Sequence, residues 1–341
     1  MMHAIPIRKA VGHVLAHDVT RIVPGREKGP AFRKGHIIRE QDVEALLDMG
    51  KAHIYVLELS PDQVHEDAAA GRIAVAAAGH GLKLSHPSEG RVNLIAEYPG
   101  LLKVDVPALN RLNSIQNIAF ATMHGNHRVA AGQPVAGTRV IPLIISEGEV
   151  AAAEDVCRAN PPLIAVKPFQ PLAVGMITTG SEVFLGRIKD QFGPVVRKKF
   201  ETLGSHITRQ IYVSDDEDKA VDAIQTLLSE GARMVVLTGG MSVDPDDRTA
   251  DGIRAAGAQV ITYGAPTFPG AMFMLAYMGD VPVLGLPGCV MYHETSIFDL
   301  IVPRLLTGER LTREDIVVLG HGGYCAGCAQ CRYPLCGFGK V

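Results

Sequence analysis

Leu172-Ala173-Val174-Gly175-Met176-Ile177-Thr178-Thr179-Gly180-Ser181-Glu182 decides the fold. Leu172 to Thr178 is an apolar, β-branched run, the pattern of a buried strand, and it ends in a short polar loop around a glycine. From Phe192 onward, Val195, Val196, Phe200 and Leu203 recur at helical spacing until Gly204, a helix-stop residue. Strand, loop and helix follow in that order. The unit then recurs. Ile207 to Val213 reads as a strand, and Val221, Ile224, Leu227 and Leu228 lie on one helical face closed by Gly231. Met234 to Leu237, Gln259 to Tyr263 and Val281 to Leu286 read as further strands, with helices over Thr249 to Ala256 and Ile297 to Leu306. Such alternation predicts an α/β domain whose parallel sheet is covered on both faces.

Upstream of the Pro-rich boundary from Asn160 to Pro171 the pattern changes to shorter strands and more turns. Val14 to Ala16 and His53 to Leu57 read as strands. Glu40 to Met49 reads as a helix ending at Gly50, and the Ala-rich stretch Glu66 to Ala78 as a helix linking two modules. The expected organisation is an N-terminal module over 1–65, a β-rich domain over 66–165, the α/β domain over 168–310 and a cysteine-rich tail over 311–341.

The 341 residues are 47% hydrophobic, which excludes a disordered or fibrous chain. Lys plus Arg is 33 against 36 Asp plus Glu, a net charge of −3 that offers no general basic surface to a nucleic-acid backbone. Met1 to Val19 carries Arg8, Lys9, His13, His17 and Asp18 in place of a signal core, so a cytoplasmic location is expected. The most apolar region, Gly264 to Tyr292, is interrupted by Pro266, Pro269, Asp280, Pro282 and Pro287. It reads as buried strands and loops, and no membrane partner is expected.

In an open parallel sheet, ligands bind where the carboxyl ends of the strands meet loops. Three such loops stand out. Thr178 to Glu182 offers a glycine for close backbone approach and hydroxyls for an anion, or a helix cap in which Ser181 is the capping residue. Thr238-Gly239-Gly240-Met241-Ser242-Val243-Asp244-Pro245-Asp246-Asp247-Arg248-Thr249 sets two glycines after a buried strand and three carboxylates beyond them. Backbone amides there suit a phosphate and a carboxylate suits Mg²⁺, the alternative being a solvated acidic turn. Gly285-Leu286-Pro287-Gly288-Cys289 is a tight turn that lets the chain pass close to a bound group, and Cys289 reads as a packed structural thiol. Phosphate-loop, dinucleotide, nucleophile-elbow and His-Glu-x-x-His signatures are absent. His124 and His127 have ligand-like spacing, but no third ligand is near them in sequence and the reading is a solvated loop.

Taken together in order and spacing, Thr179-Gly180-Ser181-Glu182, Thr238 to Val243 with Asp247, and Gly285 to Gly288 resemble the molybdopterin-binding domain. That domain is shared by molybdopterin molybdotransferases, molybdopterin adenylyltransferases and gephyrin-type proteins. The resemblance covers 168–310 and implies a three-layer, doubly wound, mostly parallel sheet preceded by smaller β-rich domains. It implies pterin contacts from Thr179, Gly180, Ser181, Glu182, Gly239, Gly240, Ser242, Pro287 and Gly288. Asp247 would be the principal metal-binding or catalytic acid, with Asp244 and Asp246 behind it. Val14 to Val19 and Gly137 to Leu143 also look like molybdotransferase segments. In that branch adenylylated molybdopterin is hydrolysed as molybdate is inserted into its dithiolene, with Mg²⁺ held by loop carboxylates. A homodimer, and a molybdoenzyme or cofactor-pathway partner, are implied as well.

The sequence departs from the family at Pro269-Gly270-Ala271, where Pro-Gly-Lys is usual, and at Cys289-Val290, where Asn-Pro is usual. The N-terminal Asp-Gly-Tyr segment is not found, and a cysteine tail stands where the family carries a β domain. These departures support a second reading, a noncatalytic carrier or sensor of the cofactor. A third is a nucleotide-processing enzyme resembling the competence-damage-inducible proteins, whose related loop ends in paired acids as Asp246-Asp247 does. In the tail, Cys325, Cys328, Cys331 and Cys336 put four soft ligands in one short segment. Zinc, an iron–sulfur cluster, or a redox-reactive tail without metal all fit that spacing.

Overall fold

The computed structural model describes residues 2–23, 27–57, 60–158, 162–241 and 247–340. They gather into two compact units, one of residues 1–97, 104–123 and 131–165, the other of 98–103, 124–130 and 166–341.

The second unit is built on a six-stranded sheet. Its spatial order is His206–Val213, Ala173–Thr179, Met234–Thr238, Val281–Leu286, Met274–Met278, Gln259–Tyr263. The first four pair in parallel. Met274–Met278 runs antiparallel to both of its neighbours. The mostly parallel sheet agrees with the sequence reading, but this one strand lies in the Gly264 to Tyr292 region, where apolar content alone did not separate strand from loop.

Helices cover both faces because the central strands are buried on both, as every residue of Met234–Thr238 is. Phe192–Glu201 and Ile297–Leu305 pack on one face, where the Phe200 and Phe298 rings meet edge-on at 5.1 Å. Glu217–Ser229 and Thr249–Ala255 supply Ala223, Ile224, Leu227, Ala250 and Ile253 to the other. Truncating a fully buried ring such as Phe298 costs about 3–5 kcal/mol. Close packing is also written in glycine: a Cβ on Gly175 would lie 2.8 Å from Leu227 Cδ1.

The first unit is richer in antiparallel pairs. Its largest sheet orders Leu82–Leu84, Arg91–Ala96, Pro134–Val140 and Ile118–Thr122. Met2–Pro6 pairs with His53–Leu57, and Val19–Val23 with Glu27–Phe32. The helix expected over Glu40 to Met49 is Asp42–Asp48, with Gly50 at φ +76° just beyond. Glu66–Ala77, read from sequence as a link, is an internal helix of this unit that buries Ala69, Ala70, Ile73, Ala74 and Ala77. Among the described residues no helix is long and apolar enough to cross a membrane.

Candidate functional site at the carboxyl ends of the sheet strands

Thr179, Thr238 and Leu286 end three neighbouring parallel strands, so the loops that follow them emerge side by side. The turn after Thr238 holds Gly239 at φ +85° and Gly240 at φ +54°, the left-handed region that favours glycine. Space makes the same demand. A Cβ on Gly239 would collide with the Thr179 carbonyl oxygen, and one on Gly240 would sit 2.5 Å from Thr249 Oγ1.

Buried hydroxyls hold the turn from beneath. Thr249 Oγ1 donates to the Gly239 carbonyl at 2.9 Å and lies 2.9 Å from Thr179 Oγ1. The Thr249 amide donates to the Gly240 carbonyl at 3.2 Å, joining the loop to the helix that follows. Further back, Gln210 Nε2 bonds Thr178 Oγ1 at 2.9 Å and Asp190 Oδ2 at 2.6 Å, tying the first strand end to the approach of the next helix. Thr249 plays its part without any motif to announce it; the only signal in sequence is its place as first residue of a helix.

Above this turn opens a cavity of about 500 Å³. Gly239, Gly240, Met241 and Asp247 form one side, Pro287, Gly288 and Cys289 another, and Phe268 to Met272 with Phe192 complete the rim. Gly239, Gly240, Asp247, Pro287 and Gly288 are thus brought together. Thr179 lies beneath the floor, 6% exposed, and is linked to the glycine turn through the hydroxyl of Thr249. Gly180, Ser181 and Glu182 do not line it. Ser181 does not cap the short helix Ser181–Phe184 with its hydroxyl: Gly180 occupies the capping position at φ +131°, and the Ser181 amide donates to Asp215 Oδ2 at 2.8 Å. Ser242, Asp244 and Asp246 lie outside the described residues.

Burial raises the Cys289 thiol above its ordinary range, which keeps it protonated at neutral pH and fits the packed-thiol reading. Phe192, Phe268 and Met272, all on the rim, carried no motif. Among the described lining residues there is no lysine or arginine, and Ala271 stands in the wall.

The four tail cysteines are elsewhere in the same unit, around a second cavity of about 230 Å³ lined also by His293, Glu294 and Thr295. Among the described residues no three His, Cys, Asp or Glu side chains are grouped as metal ligands. His127, read as solvated, is instead 1% exposed, its Nδ1–H donating to the Pro334 carbonyl at 3.1 Å.

Residues 175–307 match the family described as "Probable molybdopterin binding domain". This segment belongs to the molybdopterin-binding family of molybdenum-cofactor biosynthesis. The molybdopterin-binding domain therefore spans the sheet and all the loops of the larger cavity. Residues 4–58 match a separate family of unknown function. A molybdopterin molybdenumtransferase of Staphylococcus aureus is 23% identical over 301 residues, covering 83% of this chain and 66% of its own length. A CinA-like protein of Chlorobaculum tepidum is 31% identical over 93 residues, covering 27% of this chain and 22% of its own. The chain thus spans less than two thirds of these curated relatives. A solved tungsten cofactor synthesizing protein from Pyrococcus furiosus is 21% identical, covering 41% of this chain and 98% of its own, with a TM-score of 0.35.

Proposed function

We propose that the cavity between the Gly239-Gly240 turn and Pro287-Gly288 binds molybdopterin, and that the chain inserts molybdate into adenylylated molybdopterin with release of AMP. The observation that carries this reading is the convergence of two glycine turns and Asp247 on one cavity at the carboxyl ends of the sheet strands. The glycines leave backbone amides open to phosphoryl oxygens, and the rings of Phe192 and Phe268 offer apolar faces to a planar pterin.

Asp247 is a hard oxygen donor of the kind Mg²⁺ takes, and one or two carboxylates with substrate phosphates make up the usual protein share of its shell. Met241 and Cys289 are soft and unsuited to it. Bound there, Mg²⁺ would neutralise charge on the phosphoryl oxygens. The chain's own part is to hold the turn rigid, through Thr249 and Thr179, so that its donors are oriented before the substrate arrives. We place Asp244 and Ser242 in the same loop as auxiliary groups. A homodimer, a cytoplasmic location, and delivery of product to a molybdoenzyme or another cofactor-pathway partner complete the proposal.

One observation favours a second reading, a noncatalytic carrier or sensor. The described cavity wall holds no cation, and Ala271 stands where the resemblance places a lysine that would grip a phosphate. The two readings separate in one experiment. Purified protein is incubated anaerobically with adenylylated molybdopterin, Mg²⁺ and molybdate, and AMP release and pterin retention are followed together. Release of AMP that requires molybdate and falls about 100-fold in Asp247→Asn supports the transferase. Pterin retained without AMP release rejects it in favour of the carrier.

A further inference from the structure

The cysteine tail is a folded loop with pinned ends. At its start the Phe268 amide donates to the Gly323 carbonyl at 2.7 Å and the Cys325 amide to the Phe268 carbonyl at 2.8 Å, a parallel bridge beside the Phe268 and Tyr324 rings. At its close the Gly339 amide donates to the Gly322 carbonyl at 2.9 Å, while Phe338 is buried in the main core of the unit. Between the pins, Tyr333 donates its hydroxyl hydrogen to the Asp299 carbonyl at 3.0 Å. Between these pins most residues are exposed or half-buried, so the loop buries little apolar area of its own.

Inside it stands the second cavity, and all four cysteines are among its lining residues. Cys325 and Cys336 also pack against the core, and Cys331 Sγ lies 3.2 Å from Thr295 Oγ1, whereas Cys328 is exposed. Four unpaired thiols around one space, one of them open to solvent, are a liability to oxidation if they serve only as small packing residues. As metal ligands they are at home: thiolates select thiophilic metals, and C-x₂-C-x₂-C with a fourth cysteine beyond is a ligand spacing.

We propose that Cys325, Cys328, Cys331 and Cys336 hold one thiophilic metal centre in this cavity. The four cysteines line the cavity, but their side chains are not gathered as a ready ligand set. Loading therefore requires the four side chains to converge, within a loop whose residues are mostly exposed or half-buried. The centre and the larger cavity have no lining residue in common but are joined through neighbouring residues. Phe268 lines that cavity and is bridged to Tyr324, and the turn from Cys289 leads directly to His293, Glu294 and Thr295.

The test uses the full chain, reduced and freed of metal, divided between Zn²⁺ alone and Fe²⁺ with sulfide under anaerobic conditions. Bound metal per chain is measured after desalting, with the visible charge-transfer absorption of a cluster read in the iron arm. The expected result is one centre per chain in one arm, falling at least tenfold in Cys328→Ser/Cys331→Ser. That pair avoids the two core-packed cysteines, and an unchanged far-UV spectrum confirms that it folds. Neither metal retained, or the same amount retained by the double variant, overturns the proposal. The readout needs no pterin, so it stands or falls apart from the function proposed for the larger cavity.

Discussion

At the residue scale, the cavity is defined by what it lacks as much as by what it holds. Its described lining is apolar and sulfur-rich, with Asp247 as its carboxylate and no cationic side chain. A phosphoryl group entering there relies on backbone donors. Ala271→Lys should restore a charged partner at the rim. A charge-assisted hydrogen bond is worth about 1.5–3 kcal/mol, so affinity for the adenylylated pterin should rise about tenfold or more, measured by anaerobic titration. Affinity for pterin lacking the nucleotide should change less. An equal gain for both would show that the lysine does not meet the nucleotide's added phosphate.

At the element scale, a turn built from two left-handed glycines over a buried threonine pair is stiff. Gly239→Ala would force both a strained φ and a clash with the Thr179 carbonyl. It should destabilise the second unit by about 1–3 kcal/mol and weaken pterin binding, read by denaturant unfolding and by titration. Thr249→Val should do less, about 1 kcal/mol, because it removes hydrogen bonds without moving the backbone.

The elements also show what sequence could and could not reveal. Ala173–Thr179 and Met234–Thr238 were legible because strands buried on both faces are continuous apolar runs, and both loops behind them were legible because glycine there has a conformational reason. Met274–Met278 was not, since an apolar run between prolines has no period to tell strand from loop. Nor were Phe192 and Phe268, which reach the cavity only when distant segments are folded together. Ser181 and Glu182 were read from sequence as site residues; they begin a short helix and are not among the described lining of the cavity.

At the scale of the whole molecule, two buried histidines and one half-buried one contribute to the response to acid. His17, His65 and His127 each have their pKa lowered from 6.5, in every case first by burial. His65 is fixed in its neutral form: Nε2–H donates to the Ala16 carbonyl at 2.8 Å, and Nδ1 accepts from Lys34 Nζ at 2.7 Å. Below pH 6.5 the unfolded chain binds protons at these positions that the folded chain refuses. Stability should therefore fall as pH drops from 6.5 toward the lower folded values, and be flat in this respect above 6.5. Glu309 has a lowered pKa despite its burial, because Lys103 and Arg304 hold it charged, so its contribution is lost only below 4.5. Thermal unfolding from pH 8 to 4 should show the histidine-linked decline first, and His65→Gln should shrink it. A curve level down to pH 5 would mean that these imidazoles protonate as readily folded as unfolded.

The central claim is that the cavity between Gly239-Gly240 and Pro287-Gly288 is where the pterin sits. Anaerobic titration of molybdopterin into the full chain and into Ala271→Trp tests it most directly, because the indole fills the cavity from its rim and leaves the sheet and glycine turns untouched. At least a tenfold loss of affinity is expected in a variant whose far-UV spectrum and unfolding midpoint match the parent. Equal affinity in the two proteins would place the pterin elsewhere and contradict it.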